Sequence, residues 1–88
     1  MDTYSLTDES TVSRIADMAP RCMSAYFLCL HKADALGRCS FDREEIIHDK
    51  ARSWTKFKND LRALAFMYIL NMDDQNDFVL VELILEDV

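Results

Sequence analysis

Glycine and proline are almost missing from this chain, which has one of each in 88 residues. With so few positions suited to left-handed backbone or to helix breaking, sharp turns are scarce and helices with short connections are favoured. No Gly-rich loop exists to cradle a phosphate, and no CxxC or HxxxH pair offers a zinc site. Apolar runs are short as well. The dense stretch Ala63 to Leu70 is far below the length needed to span a bilayer, so no membrane role is expected. Residues 1–7 are polar and lack the basic start and apolar run of a signal peptide. The cysteine count is odd (Cys22, Cys29 and Cys39), which together with that start predicts reduced thiols and a cytoplasmic protein.

Half the residues are apolar, enough to fill one core, and the length predicts one domain over 1–88 with a loose lead-in over 1–9. The net charge is −6, an unusual balance for a chain whose main task is to grip phosphates. That charge is unevenly spread. Residues 50–62 hold five cations and one acid, whereas residues 63–88 hold six acids and no base.

Apolar spacing predicts the elements. Ser10 is a capable N-cap ahead of Val12, Ile15, Ala16 and Ala19, which recur at helical intervals. Pro20 either opens a new helix or kinks a continuing one. From Pro20 to Leu36 the residues Cys22, Met23, Tyr26, Cys29, Leu30, Ala33 and Leu36 share one face, and Gly37 suits a helix end. Ser40 is the next N-cap candidate, before Phe41 and the acids Asp42, Glu44 and Glu45, which suit a helix N-terminus; Ile46 and Ile47 supply the buried side. Ser53 then caps a third helix whose stripe is Trp54, Phe57, Leu61, Leu64, Ala65 and Tyr68. Two apolar runs follow, Tyr68 to Met72 and Phe78 to Leu85, around the polar loop Asp73 to Asp77, a hairpin signal without a glycine. The second run is nearly continuous and predicts a strand covered on both faces, by its own core and by a partner subunit.

The expected fold class is therefore α+β, three to four helices followed by a C-terminal β-hairpin. The segment Ser40 to Ile47 followed by Ser53 to Leu64 resembles the second and third helices of winged-helix domains, and the hairpin from Tyr68 to Leu85 resembles the wing. The resemblance spans about residues 20–85 and is one of pattern and order. It departs from the usual form in an acidic wing loop, where DNA readers commonly carry Arg or Lys, and in a helix–helix turn without Gly. A ferredoxin-like or other α+β dimer is the alternative fold, because element order does not fix topology.

The resemblance implies DNA contact through the third helix. Its side opposite the stripe presents Thr55, Lys56, Asn59, Arg62 and Ala63, with Lys58 and Phe66 at the margins and Arg52 just before it. Arg pairs with guanine and Asn with adenine in the major groove, while Lys and Thr meet phosphates or base edges. An ordinary solvated helix face has the same composition. Against DNA stand Asp73, Asp74 and Asp77, which would sit near phosphates. Those acids, with Leu28 on the polar side of its helix and Phe66, make the rival partner-binding set.

No catalytic residue, metal site or cofactor is expected. His31 and His48 are isolated, Cys22 and Cys29 have core spacing, and the acids after Ser40 fit a helix start. The leading expectation is thus a small non-enzymatic regulator of transcription or replication that binds double-stranded DNA, as a homodimer joined by its wing or N-terminal helix. The alternative is an acidic adaptor or inhibitor, of the kind phages and plasmids encode, that occupies a basic site on a partner protein.

Overall fold

The computed structural model describes residues 9–84. The expected lead-in, apart from Glu9, and the end of the terminal run at Leu85 lie outside the described residues. In chain order come helix α1 (Glu9–Met18), a 3-10 turn (Pro20–Cys22) and α2 (Met23–Lys32). Strand β1 (Arg38–Asp42), a π-helical turn (Glu45–Asp49), α3 (Trp54–Phe66), β2 (Leu70–Asp74) and β3 (Phe78–Leu83) complete it. The class is α+β, with a three-stranded antiparallel sheet in the order β1-β3-β2.

Pro20 opens its turn at the first position, where its missing N–H costs nothing, and the chain passes directly into α2. That helix stops at Lys32, short of the expected Leu36. Ala33 is extended, and the Asp34 carboxylate accepts from the amides of Leu36 (2.9 Å) and Arg38 (3.0 Å), building a local turn that competes with helix. Gly37 closes this turn at φ 81°, a position where a Cβ would be strained.

Residues 38–42 overturn the expectation of a helix capped by Ser40. Arg38, Ser40 and Asp42 point outward, while Cys39 and Phe41 face the core, and the segment pairs with β3 from Arg38↔Glu82 to Asp42↔Phe78. Alternation of period two decided the matter over the acidic first-turn signal. The predicted second helix shrinks to residues 43–49, with Ile46 buried and Ile47 half-buried.

Ser53 does cap α3: its hydroxyl accepts from the Lys56 amide at 3.2 Å. The stripe Trp54, Phe57, Leu61 and Leu64 is buried as expected, against Ile15, Tyr26, Phe41, Ile46, Leu70 and Val79. Each fully buried side chain of this size contributes about 1.5–3 kcal/mol. Tyr68 leaves the stripe and faces solvent. The helix ends in a Schellman arrangement, with the Ile69 amide bonded to the Leu64 carbonyl (3.1 Å) and the Tyr68 amide to that of Ala65 (3.0 Å). This motif requires left-handed backbone, and Tyr68 supplies it at φ 61°.

The hairpin starts two residues later than its apolar composition suggests, at Leu70. Its tight loop finds the positive φ it needs at Asn76 (φ 73°) in the absence of glycine. Strand β3 alternates: Val79, Val81 and Leu83 are buried, whereas Phe78, Leu80 and Glu82 are exposed. Among the described residues, then, one face of this strand is covered, the one turned to the chain's own core. Leu28 is also half-buried against the core rather than free on a polar side.

Candidate functional site

The outward side of α3 runs along the molecule beside the inner end of the hairpin. Thr55, Lys56, Asn59 and Arg62 are all exposed there, and Phe66 ends the row. Successive turns of one helix hold these side chains in register because Phe57, Leu61 and Leu64 anchor the opposite side.

The charges on this face are largely spoken for. Asp74, the last residue of β2, lies opposite Val79 on the sheet face turned toward α3. Both of its oxygens accept from the Lys58 ammonium at 3.1 Å, and one accepts from the Arg62 guanidinium at 2.6 Å. Arg62 also donates to the Asn59 side-chain oxygen at 2.8 Å. The Asn76 amide, foremost, and then the Lys58 ammonium hold the Asp74 carboxyl below its ordinary range. Lys58 is half-buried and lies over the Trp54 ring, 5.4 Å from its centroid. Arg52 sits in the loop before α3, donates to the Ser24 hydroxyl at 2.7 Å and flanks the Phe57 ring. Of the proposed DNA-contacting cations, Lys56 alone has no ion-pair or hydrogen-bond partner among the described residues for its ammonium group.

The hairpin tip is tied down. The Trp54 indole N–H donates to the Asn76 carbonyl at 2.8 Å, and the Arg43 amide to the Asp77 carbonyl at 2.8 Å. Residues 75–77 therefore lie against the start of α3 rather than projecting beyond it. Asp73 and Asp77 remain exposed, Asp73 on the outer face of the sheet. The predicted partner-binding residues thus divide. Phe66, Asp73 and Asp77 are outward, Asp74 is bound internally, and Leu28 packs inward.

Two features escaped the sequence reading. The first is an open apolar groove of about 370 Å³ lined by Arg62, Ala65, Phe66, Tyr68 and Met72. Phe66 is 86% exposed and Tyr68 81%, so two aromatic rings stand in water at one end of α3. The Arg14 guanidinium donates to the Met67 carbonyl and fixes that end against α1. The second is Asp60, an acid on the buried stripe with 7% exposure, ion-paired to Arg21 at 3.5 Å. Its position three after Phe57 and four before Leu64 was legible as an interruption of the apolar pattern. Burial, with the neighbouring Asp60 charge second, raises the Cys22 thiol above its ordinary range. Beside Asp60, a hollow of about 250 Å³ is lined by Arg21, Arg52, Ser53 and Lys56.

Among the described residues no three His, Cys, Asp or Glu side chains converge as metal ligands, and no helix is long and apolar enough to cross a membrane. Cys39 lies on β1. Compared with protein-family models, curated proteins and solved structures, the chain matches none.

Proposed function

We propose that this chain is a small non-enzymatic winged-helix-like module that binds a basic site on another protein, using the hairpin side of α3. The winged-helix reading is supported by the order helix, strand, short helix, helix, hairpin and by a sheet in which β1 joins the hairpin at β3. One observation carries the choice of ligand: Asp74 takes up both Lys58 and Arg62. A face that must neutralise phosphates loses two of its cations to an internal acid, with Asp73 and Asp77 close by.

The groove indicates where the partner sits. Tyr68 occupies the position where helix ends prefer glycine, at a cost of about 1–2 kcal/mol, and its ring is left in solvent. Folding gains little from that ring, whereas aromatic side chains in a groove are the usual anchors of protein interfaces. Net acidity favours a cationic partner surface and speeds its association.

A DNA-binding regulator is the second reading, favoured by the hollow at the start of α3 where Arg21, Arg52 and Lys56 converge. Affinity capture from cells that carry the protein separates the two. The partner reading expects a basic protein that the wild type retains, that moderate salt releases, and that both Phe66→Asp and Tyr68→Gly lose. Capture that is indifferent to Phe66 and Tyr68, together with salt-sensitive retention of duplex DNA lost in Lys56→Glu, would instead establish the DNA reading.

A further inference from the structure

The sheet has two outer edges, β1 and β2, and the chain treats them differently. On β1 the bonds to β3 fall at odd positions: the Leu83 amide donates to the Gly37 carbonyl and the Arg43 amide to the Asp77 carbonyl, both at 2.8 Å. Arg38, Ser40 and Asp42 therefore turn their backbone groups to the open side. That side is largely filled. Asp34 takes both groups of Arg38, its side-chain oxygen accepting from the Arg38 amide and its own amide donating to the Arg38 carbonyl, each at 3.0 Å. The Glu45 carboxylate covers the Asp42 amide at 3.5 Å.

Strand β2 has no such filling. The Ile84 amide donates to the Ile69 carbonyl and the Gln75 amide to the Phe78 carbonyl, both at 2.9 Å. Asn71 and Asp73 thus face β3, and the backbone groups of Met72 and Asp74 face outward. Leu70 shares their parity but is fully buried, which leaves Met72 to Asp74 as the accessible stretch. Among the described residues, the outward amides and carbonyls of Met72 and Asp74 have no hydrogen-bond partner. A sheet edge with unmet donors and acceptors is a template for a further strand. The groove lined by Phe66 and Tyr68 adjoins this edge, since Met72 forms part of its wall.

We propose that the β2 edge takes up an extended segment of the partner protein as a fourth strand, a segment in which apolar and basic residues alternate. This rests on the partner reading above and names the form in which the partner is recognised. Main-chain bonds to Met72 and Asp74 hold the segment, and its alternate side chains give specificity. Those on the Met72 side of the sheet enter the apolar groove against Ala65, Phe66 and Tyr68. The others fall on the outer face beside Asp73, whose carboxylate meets no cation among the described residues. Glu82, level with Asn71 and 4.0 Å from Arg38, adds a second acid to that face. Cations therefore suit the outer positions. A second copy of the chain fits poorly, because pairing β2 with itself about Met72 gathers Asp73 and Asp74 of both copies at one seam.

The test titrates the isotope-labelled full chain with a short capped peptide alternating valine and lysine, read by amide shifts and hydrogen exchange. The Met72 and Asp74 amides are expected to shift and gain protection, while the Ser40 amide on the β1 edge does not. N-methylating one alternate set of peptide amides is expected to weaken binding about tenfold or more, since several edge bonds are lost at once. Methylating the other set, whose amides point away from β2, is expected to leave binding intact. A peptide with glutamate in place of lysine is expected not to bind. Equal binding by the two methylated peptides, or binding without protection at β2, would overturn strand addition. So would failure of the peptide while a basic protein is still captured through Phe66 and Tyr68, a result that leaves the partner reading standing. Failure of both removes the two together. Protection of Met72 and Asp74 in the chain alone, with self-association, would assign the edge to a second copy and overturn the proposal.

Discussion

Replacing Asp74 by Asn changes one charge and almost no volume, so its consequences can be worked out contact by contact. The Asn side-chain oxygen still accepts from the Asn76 amide, a bond of 2.9 Å, and the turn keeps its shape. Both ion pairs weaken to neutral contacts. The Arg62 pair is half-exposed and contributes at most about 0.5 kcal/mol. The Lys58 pair is better shielded, with that side chain only 13% exposed, and its loss leaves a poorly hydrated ammonium with the Trp54 ring as its remaining neighbour. The expected total is about 1–2 kcal/mol at pH 7, discounted for solvent screening. The pH dependence has a definite sign. The folded-state carboxyl of Asp74 lies below its ordinary 3.8, so its stabilisation is complete above that value and fades as pH falls through the depressed pKa. Urea unfolding of both proteins at pH 7 and near pH 2 checks this, because other carboxylates cancel in the difference. Equal stability at pH 7, or a gap of the same size in acid, would refute the account of the charge cluster.

Other perturbations probe the frame and the surface. Leu61→Ala removes a fully buried side chain and should cost about 2–5 kcal/mol in denaturant unfolding. Trp54→Phe keeps most of the packing but deletes the bond to the Asn76 carbonyl; it should cost about 1–2 kcal/mol and raise amide exchange at the hairpin tip. Tyr68→Gly should leave stability unchanged or raise it by up to about 1 kcal/mol, since relief of the left-handed strain offsets added chain freedom, while capture of the partner is lost.

How much of this was legible in the sequence depends on which signal ruled each segment. The α3 stripe and its Ser53 cap were readable, because four large apolar residues at helical spacing behind a capping hydroxyl leave little choice. The hairpin was readable from composition, although its start was not, because the Schellman turn at Tyr68 uses a residue that does not advertise positive φ. Strand β1 was missed because five residues of alternating pattern competed with the acidic start of a helix at Asp42 to Glu45, and only pairing with β3 resolves that contest. The site was half-legible. Phe66 and the exposed row of α3 followed from periodicity, but the capture of Lys58 and Arg62 by Asp74 joins residues 12 to 16 apart and depends on the register of the hairpin. The groove stayed hidden for the same reason, since Met72 and Tyr68 reach α3 only after the chain turns.

The claim that an internal acid withdraws the α3 face from nucleic acid is tested most directly by a salt-titrated anisotropy measurement on labelled random duplex DNA, with the wild type and Asp74→Asn side by side. The predicted result is no measurable wild-type binding even at low ionic strength, and weak, steeply salt-dependent binding in the variant as Lys58 and Arg62 are released. Wild-type binding that falls by orders of magnitude between low and moderate salt, and is no weaker than that of Asp74→Asn, would contradict it.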